Sequence, residues 1–439
     1  MQLVDTPHPF FVEFNLQVSV ILNRFHSILQ KPNLNKNSTA VLIEAIFLGI
    51  LFSSEPFLPV FLTRLGATTF QVGLLTSMPA VAGLLLTIPL GQYLINSRQI
   101  ADWYRYPRLA GSVAYVFTGL IPFLVSAPQL SIMLILVVWA AATLPHVILM
   151  ITFSVVMNAV AGPKGRYELM ARRHAIVVLV SAASVAGAGW FLEQIAFPLN
   201  FQLLFMFFSI LGGGAAFYFA SHIKLPEKTS VYTPPVSIQK TMQDFRVILR
   251  ENPSFTSFVW IRFVFMLGYM TVLPLIPVYY VREVQASDGW IGLISTVQLG
   301  VMVFGYFFWL RQTRGKLSNR TMLLATTLVL AVYPAIIACT HKVELIALVT
   351  GLAFFFQAGL DLVFFDELMR TVPEGESIRY ISLAQSIQYI AAITGPLLGS
   401  FLSGHIGLSG ALFVGAAIRG IGFLLFFFLP LDKEPIPAV

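Results

Sequence analysis

The chain has 439 residues, of which 57% are hydrophobic and 11% charged, and its mean hydropathy is +0.81. A soluble domain carries roughly a quarter charged residues, so a water-solvated globule is excluded. One cysteine, Cys339, excludes an internal disulfide and a multi-cysteine metal cluster, and the formal charge of +7 is explained below by membrane topology rather than by nucleic-acid binding.

Met1 to Asn37 lacks the basic start, apolar core and small-residue cleavage site of a signal peptide. Phe10 to Leu29 alternates apolar and polar residues at helical spacing and predicts an amphipathic leader helix in the membrane interface. Twelve apolar runs then follow, each long enough to cross a roughly 30 Å hydrocarbon core as a helix. They cover about 40–64, 70–96, 108–127, 130–156, 171–194, 200–221, 254–281, 289–310, 320–340, 344–367, 379–403 and 407–429. The longest polar gap, 222–253, predicts a linker whose Ile238 to Leu249 stretch repeats the leader's amphipathic pattern.

Basic residues orient the spans, since loops rich in Lys and Arg stay on the cytoplasmic side. All but five of the 27 fall before span 1, after the even-numbered spans or in the tail. Arg64, Arg282 and Lys342 fall on the other side, and Arg262 and Arg419 lie within spans. Both termini are therefore expected in the cytoplasm, and the "NST" and "NRT" glycosylation patterns at Asn37 and Asn319 are discounted.

The halves repeat each other in order. "FHSIL" (25–29) matches "FRVIL" (245–249) at a shift of 220, and "LPVF" (58–61) matches "IPVY" (276–279) at 218. "VGLLTS" (72–77) matches "IGLIST" (291–296) at 219, and "GPKGRY" (162–167) matches "PEGESIRY" (373–380) at 210. A six-span unit has been duplicated with its direction kept, a parallel repeat about an axis along the membrane normal.

This plan resembles the major facilitator superfamily from about residue 38 onward. The resemblance implies an all-α membrane protein of twelve transmembrane helices in two pseudo-symmetric six-helix bundles around a central cavity, alternating access by rocking, and spans 1, 4, 7 and 10 lining the cavity. It also implies a working monomer. The expected domains are a leader (1–37), an N-terminal bundle (38–221), the linker (222–253), a C-terminal bundle (254–430) and a tail (431–439). The family's loop signature is incomplete: Gly91 and Arg98 are present after span 2, but Ile95 holds the acid's place. The second copy keeps Gly305, Arg311 and Arg314 without the acid. "GPLLG" (395–399) looks like the family's G-P-x-x-G element in span 11, while span 5 has "AGAGW", so an antiporter assignment is not supported. The run "SAASVAGAG" (181–189) predicts close helix packing.

Polar residues inside the spans are few. Glu44 and Glu55, eleven residues apart in span 1, share a face about 16 Å apart along a helix. Glu55 sits deeper, beside Pro56, and reads as a protonatable site; Glu44 reads as a gate residue or a partner of Arg172 or Arg173. Trp139, Thr143 and His146 share a face of span 4, with His146 either a proton relay or a hydrogen-bonded neutral group. In span 7, Arg262 takes the repeat position of Glu44 and is followed by Tyr269. Arg262 meets an anionic substrate, snorkels, or pairs with Asp366 or Glu367; Arg419 reads as structural. Gln357 and Asp361 share a face of span 10, with Asp366, Glu367 and Arg370 toward its cytoplasmic end as a gate cluster.

No phosphate-cradling loop, H-E-x-x-H pair or assembled nucleophile is present in the sequence. The expected protein is a non-enzymatic, cofactor-free secondary transporter, multi-pass in a bacterial inner membrane and surrounded by lipid. It moves a small lipophilic or amphipathic solute, outward, coupled to protons through Glu55 and Asp361. The substrate-binding set is Glu55, Trp139, Thr143, His146, Arg262, Tyr269, Gln357 and Asp361, and the gate set is Glu44, Arg172, Asp366 and Glu367. The alternatives are uptake of an anionic metabolite on Arg262, or a non-transporting protein of this fold that binds lipid or pigment or assists membrane-complex assembly.

Overall fold

The computed structural model describes residues 36–95, 100–224, 238–313, 318–373 and 376–428. The expected leader helix, Arg98, most of the linker and the tail lie outside them. Among the described residues the chain is helical throughout, with no strand. That is what hydrocarbon imposes, because a helix satisfies its backbone groups within one segment.

The six N-terminal spans are α1 (Lys36–Arg64), α2 (Thr69–Ile95), α3 (Ile100–Leu124), α4 (Pro128–Ala161), α5 (Glu168–Gln194) and α6 (Leu199–Ser221). The C-terminal six are α7 (Pro253–Arg282), α8 (Asp288–Thr313), α9 (Asn319–Ala338), α10 (Val343–Arg370), α11 (377–406) and α12 (408–428). The last two share one continuous helical stretch that is divided at Gly407, whose φ of 77° admits the turn. The helix Ile238–Glu251 precedes α7, as its sequence pattern predicts, and is tied to α11 by an Asp244–Arg379 ion pair of 2.7 Å.

The duplication is visible in the backbone. Helix α1 breaks at Ser53–Pro56, where the amides of Ser54 and Glu55 bond three rather than four residues back, to Leu51 and Phe52. Pro56 has no N–H to continue the ladder. Helix α7 breaks at Leu273 and Pro274, the residue 218 places after Pro56.

Helix α3 begins earlier than the sequence suggests, at Ile100 rather than near 108. Its first turns carry an Asp102–Arg105 pair (2.8 Å), so charged residues that look like a loop extend the helix. Arg108, expected in that loop, is instead inside the bundle.

The two halves meet through α2 with α11 and α5 with α8. On the second seam, a Cβ on Gly292 would come 2.7 Å from the Cα of Gly189, so glycine at both positions sets the helix separation. This is the packing role that the small-residue run predicts, and Ser181 of that run also donates to the Gly49 carbonyl of α1 (2.9 Å).

The end away from the basic loops is fastened by a reciprocal pair of arginines. Arg64, closing α1, donates to Asp288 (2.8 Å) and to the Ala286 carbonyl (3.0 Å) of the other half. Arg282, closing α7, donates to the Ala67 carbonyl (2.6 Å). Arg64 and Arg282 are 218 residues apart, and Ala67 and Ala286 are 219 apart, so each repeat copy holds the loop of the other. Glu193 adds bonds from the Ser287 hydroxyl (2.7 Å) and the Gly289 amide (3.2 Å), and Thr69 meets Ser403 (2.9 Å).

Each clamp bond contributes about 1 kcal/mol net, so losing several shifts the balance of open and closed states several-fold. With Cys339 replaced by serine and a single cysteine placed at Ser403, the Arg64→Ala/Arg282→Ala variant is expected to react several-fold faster with a membrane-impermeant maleimide. Equal labelling rates would show that the clamp does not hold this end shut.

Candidate functional site

The interior charges of the two halves are handled differently. In the N-terminal half Glu44 is fully buried, with Arg108 Nε 2.5 Å from its Oε1. The Tyr104 hydroxyl donates to Glu44 Oε2 (3.1 Å), and the Arg108 guanidinium lies 4.2 Å from the Tyr104 ring centroid. Two charges, a phenol and a ring face thus compensate one another inside the protein. The expected partners of Glu44 are corrected here. Arg172 pairs with Glu168 (2.6 Å), and Arg173 stacks over Phe153 (4.6 Å). With no surface exposure, Glu44 is not placed at an open gate; the neighbouring helix α3 supplies a cation closer than those of α5.

In the C-terminal half the repeat-equivalent residue Arg262 opens on a cavity of about 250 Å³. Its lining includes Gln357, Asp361 and Gln388, together with apolar Met266, Phe364 and Phe365. Arg262 donates through Nη2 to the Gln388 side-chain oxygen (2.8 Å), and its guanidinium sits 5.5 Å from the Phe364 ring centroid. Asp361 accepts from the Tyr306 hydroxyl (2.6 Å) and from Gln357 Nε2 (2.8 Å). Four helices, α7, α8, α10 and α11, therefore supply one polar level. Both Arg262 and Asp361 lie nine residues from the basic-loop ends of their helices, Pro253 and Arg370, roughly 14 Å along the axis.

Of the expected binding residues, the fold brings Arg262, Gln357 and Asp361 together around this cavity. The pairing of Arg262 with Asp366 or Glu367 is not formed, since Gln388 takes its guanidinium instead. Asp366 and Glu367 face Arg370 at 3.1 and 3.9 Å, and Asn319 also donates to Asp366, which makes a charged cap at the end of α10. Glu55 is exposed at the break in α1, and its carboxylate forms no hydrogen bond or ion pair among the described residues. It is nine residues from Arg64, roughly 14 Å from the clamped end, and does not line the cavity with Asp361.

Span 4 is placed elsewhere. The Trp139 indole donates to Thr118 (3.0 Å) and packs edge-on against Tyr115, while the Thr143 hydroxyl returns to the Ala140 carbonyl (2.7 Å). His146 is exposed on α4 and is not part of the cavity. Tyr269 lies under Arg419, whose guanidinium is 5.4 Å from its ring and 4.8 Å from that of Phe265. Arg419 is therefore a buried packing element between α7 and α12, as its position in the sequence suggests.

Sequence reasoning missed Gln388, Tyr306 and the Arg64/Arg282 clamp. The first two are polar residues in apolar spans, but spacing within one helix does not say which neighbour it meets. The clamp was available from the 218-residue shift, applied to helix ends as it was to Glu44 and Arg262.

Residues 258–439 match the family model described as Major Facilitator Superfamily. No curated protein matches the sequence. The fold is similar to that of a bacterial homologue of the iron transporter ferroportin in an inward-facing state: 13% identity, TM-score 0.68, covering 90% of this chain and 98% of that one. It is also similar to the nucleoside transporter NupG (11%, 0.61, 90% and 99%) and to a D-xylose-proton symporter (12%, 0.61, 90% and 98%). The fold is that of a multi-pass helical membrane protein, and it is shared with these transporters. The superfamily's signature thus covers residues 258–439, and the fold over 90% of the chain is similar to those of the solved transporters.

The Glu44–Arg108 pair predicts a clear stability result. Arg108→Met leaves a buried carboxylate uncompensated and is expected to cost about 3–5 kcal/mol. Glu44→Leu/Arg108→Met removes both charges and should recover most of that loss in thermal unfolding of the detergent-solubilised protein. If the single variant melts within a degree of the wild type, the pair does not hold the N-terminal half together.

Proposed function

We propose that the chain is a secondary active transporter that moves a small amphipathic solute by alternating access of the halves 38–221 and 254–430, coupled to protons through Asp361. The observation that carries this reading is the cavity: an acid and a base line one solute-sized space, inside a protein whose opposite end is clamped. The end bearing the basic loops, with both termini, is taken as cytoplasmic in a bacterial inner membrane. The solute then loads from the cytoplasm and leaves on the other side. One copy supplies the whole cavity lining, so the working unit is a monomer.

Asp361 suits proton coupling because its hydrogen-bond partners are neutral hydroxyl and amide donors rather than a cation. A carboxylate at that depth is costly when ionised and unpaired, so taking up a proton changes which arrangement of the halves is favoured. Glu55, at the break in α1, is the second acid proposed for this role. The D-xylose-proton symporter of similar fold is named for the same coupling, which supports the reading.

The test is solute-driven proton flux in proteoliposomes, using a compound that thermally stabilises the purified protein. Asp361→Asn is expected to abolish coupled flux and Glu55→Gln to reduce it, while both variants remain folded. Undiminished coupled flux in both would sink the proton-carrier assignment.

A further inference from the structure

The two halves carry opposite charges in their interiors but treat them in contrasting ways. In the N-terminal half, acid and base collapse onto each other at 2.5 Å and are buried. In the C-terminal half, Arg262 and Asp361 line one cavity, yet each is held by neutral partners. Arg262 makes one side-chain hydrogen bond, through Nη2 to Gln388, so its five-donor fork is not used up. Asp361 is exposed to the cavity, and a carboxylate accepts more bonds than the two it has.

Alternating access requires an occluded stage in which water is excluded from both ends. A lone anion on Arg262 would then face the Asp361 carboxylate, and a lone cation on Asp361 would face the guanidinium. A neutral solute would give neither protein charge a counter-charge of its own in a dry site. A solute carrying one charge of each sign compensates both and adds no net charge to the interior. The size fits a small molecule: at roughly 30 Å³ per water-sized group, a cavity of about 250 Å³ holds about eight such groups. Met266, Phe364 and Phe365 give it an apolar wall.

We infer that the cavity binds a small zwitterion with an apolar substituent, its anionic group on Arg262 and its cationic group on Asp361, the chemistry of a free aliphatic amino acid. This deepens the function proposed above and rests on the cavity being the transport site. Gln357 and Gln388 act as positioning residues that hold the two charged groups apart.

Binding of L-leucine to the purified full-length protein, measured by calorimetry, tests this against two analogues of the same skeleton. Isocaproate lacks the ammonium group and isoamylamine lacks the carboxylate. Leucine is expected to bind, with each analogue at least about tenfold weaker, the loss of one charge-assisted contact. Arg262→Gln, which keeps an amide beside Gln388, and Asp361→Asn, which keeps an acceptor for Tyr306, should each weaken leucine binding by a similar factor. The proposal is overturned if either analogue binds as tightly as leucine, or if leucine, valine and methionine all fail to bind. Analogue binding that is lost in Arg262→Gln would refute the zwitterion while leaving the cavity as the transport site. Binding that neither variant alters would refute the cavity itself.

Discussion

Charge inside a low-dielectric bundle must be compensated, and the architecture of this protein follows from how each interior charge meets that requirement. A bilayer supplies no water to solvate an isolated carboxylate or guanidinium, so each such group costs several kcal/mol unless a partner is at hand. Glu44 meets the requirement with Arg108 and the Tyr104 ring and hydroxyl. Arg419 meets it with the faces of Phe265 and Tyr269. Arg262 and Asp361 meet it only in part, through amides and a phenol, and both line a cavity rather than a packed core.

Duplication gave the two halves the same backbone and then let the side chains diverge. Breaks at Pro56 and Pro274 still correspond, and so do the clamp residues Arg64 and Arg282. At the Glu44/Arg262 position the sign of the charge has reversed, and its use has changed with it. The N-terminal copy is buried in an ion pair, whereas the C-terminal copy lines a cavity. The clamp joins the opposite halves by directional hydrogen bonds from two arginines.

The polar residues within the apolar spans were legible as candidates because so few of them exist. Gln357 and Asp361 were readable as one face from their spacing alone, and the 2.8 Å bond between them follows from that helical geometry. Partners on other helices were not readable. Arg108 looked like a loop residue because it follows Arg98 and Arg105 after span 2; a carboxylate on the adjacent helix makes its burial tolerable. Trp139 looked like a binding residue, yet Thr118 on α3 already satisfies its indole N–H.

By itself the sequence determined that this is a membrane protein of twelve helical spans in two repeated halves, and it marked which buried groups are costly. Those properties are one-dimensional: hydrophobic length, basic-loop bias and the repeat shift survive without knowing any contact. The tertiary structure decided which charges neutralise each other and which face a cavity, because compensation depends on distances of a few ångströms between helices far apart in the chain. It decided in the same way that one end is clamped, since the clamp consists of arginines reaching across to the other half. Helix positions follow from the solvent, whereas the pairing of charges follows only from the packing.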